Sequence, residues 1–148
     1  MMDTKLYNND FYLWIETTVQ LLREGKFNMV DLENLVEEID SMGRREKTAL
    51  KSNLRVLLMQ LLKYNYQTEK RSNSWKYTIF EHRKRIAESL ADSPSLKPYY
   101  QEVFTECYQD ARQEAALETG LTLAVFPEES PFTAEETLDL EYGFSLLD

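Results

Sequence analysis

The chain has 148 residues, 43% hydrophobic and 12% aromatic, which is enough apolar material for one packed domain and too much for a disordered one. Four glycines and four prolines leave little turn punctuation, which argues against a many-stranded β architecture and for a few long helices. The formal net charge of −9 weighs against nonspecific nucleic-acid binding. A lone cysteine cannot form an internal disulfide, and no run approaches the ~18 uninterrupted apolar residues that read as a bilayer span.

A first helix is predicted from Asn9 or Asp10, either of which can cap it, to Gly25, which can take the left-handed conformation that ends it. Phe11, Trp14, Ile15, Thr18 and Leu22 recur at spacings of three and four, so this face is expected to lie on the core. Asn28 then opens the element around which the chain is organised, a long amphipathic helix over about 28–66. Its apolar stripe is Leu32, Leu35, Val36 and Ile39, then Leu50, Leu54, Leu57, Leu58, Leu61 and Leu62. The weak point is Ser41-Met42-Gly43, where glycine costs roughly 1 kcal/mol relative to alanine. Unbroken, the helix is a rod of roughly 57 Å. A compact chain of this length is only about 38 Å across. An overhanging apolar stripe needs a partner, for which a twofold homodimer is the commonest solution.

A polar link, 67–74, leads to a third helix capped by Ser72 or Ser74. Trp75, Ile79, Ile86 and Leu90 share its inner face, leaving Lys76, Arg83 and Lys84 for solvent or acidic neighbours. Residues 91–98 form a boundary rich in proline and serine, and Pro98 suits the first turn of a fourth helix. That helix buries Tyr100, Val103, Phe104, Cys107 and Ala111 and ends at Gly120. Residues 121–148 read as an irregular strap over the helices, interrupted by Pro127 and Pro131, with Thr133 and Glu136 as the capping box of a short last helix. The expectation is a single all-α domain, 1–148, a bundle of about four main helices built around the long one.

Charge is segregated along this frame. Residues 1–40 carry 3 basic and 9 acidic side chains (−6), residues 41–85 carry 12 and 3 (+9), and residues 86–148 carry 2 and 14 (−12). In the basic middle, Lys63, Lys70, Arg71, Lys76, Arg83, Lys84 and Arg85 lie near Trp75 and several tyrosines, a mixture that single-stranded nucleic-acid sites use. Pairing between helices is the simpler use of those cations. Glu33, Glu37, Glu38 and Asp40 form an acidic cluster, with Glu33 and Glu37 on one helical face as in metal-binding bundles. The Glu-x-x-His motifs of such sites are missing, and one histidine with one cysteine cannot close a four-ligand zinc site. The cluster is therefore expected to pair with Arg71, Arg83 or Arg85. Cys107 with His82 offers a nucleophile and a base, but Cys107 falls on an apolar face, where cysteine behaves as a small hydrophobe. No Gly-rich phosphate loop and no nucleophile elbow occurs, so no cofactor is expected.

Leu32-Glu33-Asn34-Leu35-Val36-Glu37-Glu38-Ile39-Asp40-Ser41-Met42-Gly43, Leu61-Leu62-Lys63-Tyr64, Ser74-Trp75-Lys76-Tyr77-Thr78-Ile79, Ser93-Pro94-Ser95-Leu96, Glu118-Thr119-Gly120-Leu121 and Phe126-Pro127 together resemble the bacterial family named domain of unknown function 29, in its order. The resemblance covers about residues 7–142. It implies an almost wholly helical, dimeric domain and supplies no activity. Where members of that family typically carry a histidine and a tail cysteine, this chain has Gln60 and Ser130. The leading expectation is a non-enzymatic protein–protein interaction or regulatory module, self-associating or bound to another protein. The alternatives are nucleic-acid binding through 63–85 and an enzyme using carboxylates or a metal. The opening residues lack the basic start and apolar run of a secretory signal, so a cytoplasmic setting is expected.

Overall fold

A computed structural model describes residues 4–140. The protein is an all-α bundle, and no strand occurs among the described residues. Six α-helices follow one another among the described residues: α1 (Thr4–Asn9), α2 (Phe11–Arg23), α3 (Leu32–Tyr66), α4 (Asn73–Asp92), α5 (Lys97–Thr119) and α6 (Ala134–Leu138). The described chain divides after Arg45 into two compact units, and α3 runs without interruption from the first into the second. It passes straight through Gly43, the expected weak point. Its 35 residues make it about 52 Å long.

In the first unit the Asp10 carboxylate accepts a hydrogen bond from the Leu13 N–H and so caps α2, and Gly25, at φ 72°, follows its end in the left-handed conformation. Phe11 stacks on Trp14 and Tyr7 meets both rings edge-on, with ring centroids 4.8–5.8 Å apart, and the Tyr7 hydroxyl donates to Glu38 on α3. Two expectations are corrected here. The long helix starts at Leu32 rather than Asn28, because residues 27–29 form a 3₁₀ turn and Asp31 supplies the cap, accepting from the Asn34 N–H at 3.4 Å and its side-chain amide at 2.7 Å. The predicted inner face of α2 is only partly inside. Trp14 and Thr18 are buried, while Phe11, Ile15 and Leu22 stay substantially exposed. This unit has few buried side chains to set against them.

The second unit has the core. From α3 come Leu50, Leu54, Leu57, Leu58, Leu61 and Leu62, all fully buried. Each fully buried leucine contributes about 1.5–3 kcal/mol. Ile79 and Ile86 of α4 and Tyr100, Val103, Cys107, Ala111 and Ala115 of α5 complete one cluster with Phe126 and Phe132. Ser72 caps α4 by accepting from the Trp75 N–H, Pro98 stands in the first turn of α5, and Gly120, at φ 76°, ends it.

After Gly120 the chain is a strap held by side chains of the helices. Tyr108 Oη donates to the Pro127 carbonyl at 2.5 Å, Tyr100 Oη to Ala134 at 2.6 Å, and Arg112 Nε to Phe126 at 3.0 Å. Arg83 Nε donates to the Thr137 carbonyl at 2.9 Å. This corrects the expected solvent-facing role of Arg83, which is 1% exposed. Burial pulls its guanidinium down to about 10, with the Asp139 charge acting the other way, and a group at about 10 keeps its proton at neutral pH. The Thr133 hydroxyl caps α6 through the Glu136 N–H. The expected tail beyond Leu140 lies outside the described residues.

Candidate interaction surface

The basic segment is not presented as one surface. Lys63 is buried on α3, where its ammonium bonds Glu118 at 2.6 Å and sits 4.7 Å above the Trp75 ring. Arg71 donates from Nε to the Tyr64 carbonyl at 2.7 Å and lies over the Tyr64 ring, and Arg83 is turned into the strap. Arg85 pairs with Glu81 at 2.8 Å, one turn away on α4. Lys70 and Lys84 are exposed, and Lys76 is half-buried. At least four of the seven cations therefore serve contacts within the second unit.

The acidic cluster is brought together on one helix, but not with the partners expected from sequence. Arg44 bridges Glu37 at 2.8 Å and Asp40 at 2.9 Å, the second at the helical spacing of four read from the sequence. Arg45 approaches Glu38 at 3.7 Å, and Glu33 is exposed. The expected pairing with Arg71, Arg83 or Arg85 is replaced by these neighbours because Arg44 and Arg45 lie within helical reach. The two Arg44 pairs are open to water and contribute little. No set of three metal-ligating side chains gathers among the described residues. Cys107 is buried, its thiol donates to the Lys51 carbonyl at 3.6 Å, and burial pushes it up to about 11, far from the thiolate that a nucleophile requires. Gln60 keeps its side-chain oxygen buried without a partner, while Ser130 bonds Phe132 in a tight turn.

The most conspicuous surface lies in the first unit and is apolar. Leu32, Val36 and Ile39 on α3 are 65, 58 and 59% exposed. Beside them Trp14, Ile15, Thr18 and Val19 of α2 and Leu35, Ile39 and Met42 of α3 line a groove of about 440 Å³ whose charged lining residues are Glu38 and Arg45. Exposed apolar residues are ordinary when scattered, but a contiguous face of this kind marks an interaction site. The sequence reading missed this by assigning Phe11, Ile15 and Leu22 to the core. A signal was present. Leu13 and Val19 make α2 apolar around more than one side, more than a single internal neighbour can cover.

An all-α bundle protein with an uncovered apolar face and a packed second unit is the class that the fold and surface define. The chain belongs to the family described as Domain of unknown function DUF29, whose model matches residues 6–143. No curated protein and no solved structure matches it. The family assignment carries no specific activity. No helix among the described residues is long and apolar enough to cross a membrane.

Proposed function

We propose that this chain is a non-enzymatic protein–protein interaction module that binds through the apolar face of its first unit, with self-association into a homodimer as its first use. One observation carries the reading: Leu32, Val36 and Ile39 stand more than half exposed beside the groove between α2 and α3. Covering a large aliphatic side chain contributes about 1.5–3 kcal/mol, so leaving several in water favours association. A cytoplasmic setting suits a chain whose one cysteine is a buried free thiol.

The test compares the full chain with a Val36→Lys/Ile39→Lys variant by light scattering on a size-exclusion column, at low and high salt and several concentrations, together with the proteins that each retains from extract. The wild type is expected in a complex that the variant cannot form. Identical masses and identical retained proteins would overturn the reading.

A further inference from the structure

Resting on the interaction reading above, the charges that border the apolar face define its occupant. Along that face each aliphatic residue is followed by an acidic one: Ile15-Glu16 on α2, then Leu32-Glu33, Val36-Glu37 and Ile39-Asp40 on α3. A step of one residue turns a helix by about 100°, so on α3 an acidic row runs beside the apolar row at the same spacings of four and three. No cation interrupts it. Residues 10–22 and 31–43, which supply all of the groove lining except Arg45, hold seven acidic side chains and no basic one.

Three of those seven are engaged in holding the unit together. Asp10 and Asp31 cap helices, and Glu38 receives the Tyr7 hydroxyl and lies 3.7 Å from Arg45. The others are open to a partner. Glu16 and Glu33 stand exposed. Glu37 and Asp40 share one cation, Arg44, and both pairs lie at the surface, where one ion pair is readily exchanged for another.

These charges discriminate among occupants. An anionic lipid surface or a nucleic acid would meet the acidic row with like charge. A second copy, meeting the face with the same face, would set acidic row against acidic row, which works against association. A cationic amphipathic helix complements both rows: aliphatic residues at spacings of four and three fill the groove, and lysine or arginine one position on meets the carboxylates. Its length follows from α2, whose 13 residues span about 20 Å, the reach of a helix of about 14 residues.

We infer that the groove between α2 and α3 receives a basic amphipathic helix of a different protein, whose cations pair with Glu33, Glu37 and Asp40 while its aliphatic residues cover Leu32, Val36 and Ile39. That helix and a second copy need the same residues. Binding of the helix therefore displaces the copy and converts a dimer into a one-to-one complex.

The test titrates the full chain into fluorescently labelled synthetic helices of about 14 residues and reads anisotropy. One peptide carries a leucine stripe with lysines beside it, the second has glutamate in place of lysine, and the third has the lysine peptide's residues in scrambled order. The first should bind, and the other two should bind at least about tenfold more weakly. Raising salt from about 0.05 M to about 0.5 M should weaken peptide binding and increase the dimer fraction, because screening removes attraction in one and repulsion in the other. Glu33→Gln/Glu37→Gln/Asp40→Asn should weaken the lysine peptide about tenfold and strengthen self-association, a gain that a damaged fold would not give.

Equal affinity for the lysine and glutamate peptides, equal affinity for the scrambled one, or an undiminished affinity in the neutralised variant overturns the basic helix. So does the failure of every peptide to bind. The interaction reading is decided separately, by the mass and the retained proteins of Val36→Lys/Ile39→Lys, so the two can fall independently.

Discussion

The two ends of α3 have the same backbone geometry and similar apolar repeats, and they differ in almost everything else. From Leu50 to Leu62 the stripe is fully buried against α4, α5 and the strap. From Leu32 to Ile39 it faces water, with only α1 and α2 in its own unit. Apolar periodicity reports that a helix face needs cover. Whether the cover comes from the same chain depends on how many other elements reach that stretch, and this is a property of topology that no window of sequence contains.

The largest effect expected is at the packed end. Leu58→Ala should lower the unfolding free energy by about 2–5 kcal/mol in a urea titration, through lost transfer energy and the cavity left behind. A loss below about 0.5 kcal/mol would erase the contrast between the two stretches. A pH titration sharpens the same side. Burial lifts the Cys107 thiol from 9.0 to about 11, so the folded protein keeps a proton that the unfolded chain sheds between those values. Stability should therefore fall as pH rises from about 9 to 11, by at most about 1.4 kcal/mol per pH unit. Cys107→Ala should remove that slope between pH 9 and 10 in thermal melts; above pH 10 Tyr100 and Tyr108, both raised by burial, add a loss of the same sign and Arg83, lowered to about 10, opposes it.

Asp10→Ala probes the sparsely packed side. Loss of the α2 cap should cost about 1 kcal/mol and accelerate amide exchange within α2, while amides of residues 50–64 keep their protection. Equal acceleration in both would mean that the units do not open separately. The smallest effect is expected from Val36→Ala, within about 0.5 kcal/mol on a dilute chain, because the residue is already mostly in water. The same substitution should weaken association.

Features that rest on local backbone chemistry were legible in the sequence. Of the alternatives Asn9 or Asp10 and Ser72 or Ser74 the structure selects Asp10 and Ser72 as caps, while Thr133 caps α6 and Gly25 and Gly120 follow helix ends as expected, because each of these roles is decided within four residues. The leucine core of α3 was legible for a related reason, since six leucines at helical spacing leave few other arrangements. Arg83 was misread because its acceptor, the Thr137 carbonyl, lies 54 residues away and periodicity counts every arginine as polar. Asn28 reads as the cap because asparagine is a good one, and only the 3₁₀ turn over residues 27–29 moves the helix start past it, to a cap at Asp31. The exposed face of α2 and α3 was legible in its pattern but not in its surroundings.

The strap crosses the helices without a strand beside it, and its carbonyls at Phe126, Pro127, Ala134 and Thr137 are each met by a side chain of α4 or α5. Such contacts read the path of a backbone rather than its letters. Arg83, Tyr100, Tyr108 and Arg112 therefore act as fixed posts, and the residues threaded between them are free to drift so long as Phe126, Phe132 and Ala134 still plug the core. The part of the chain that looks least regular would tolerate the most change, while a few polar residues on the helices tolerate the least.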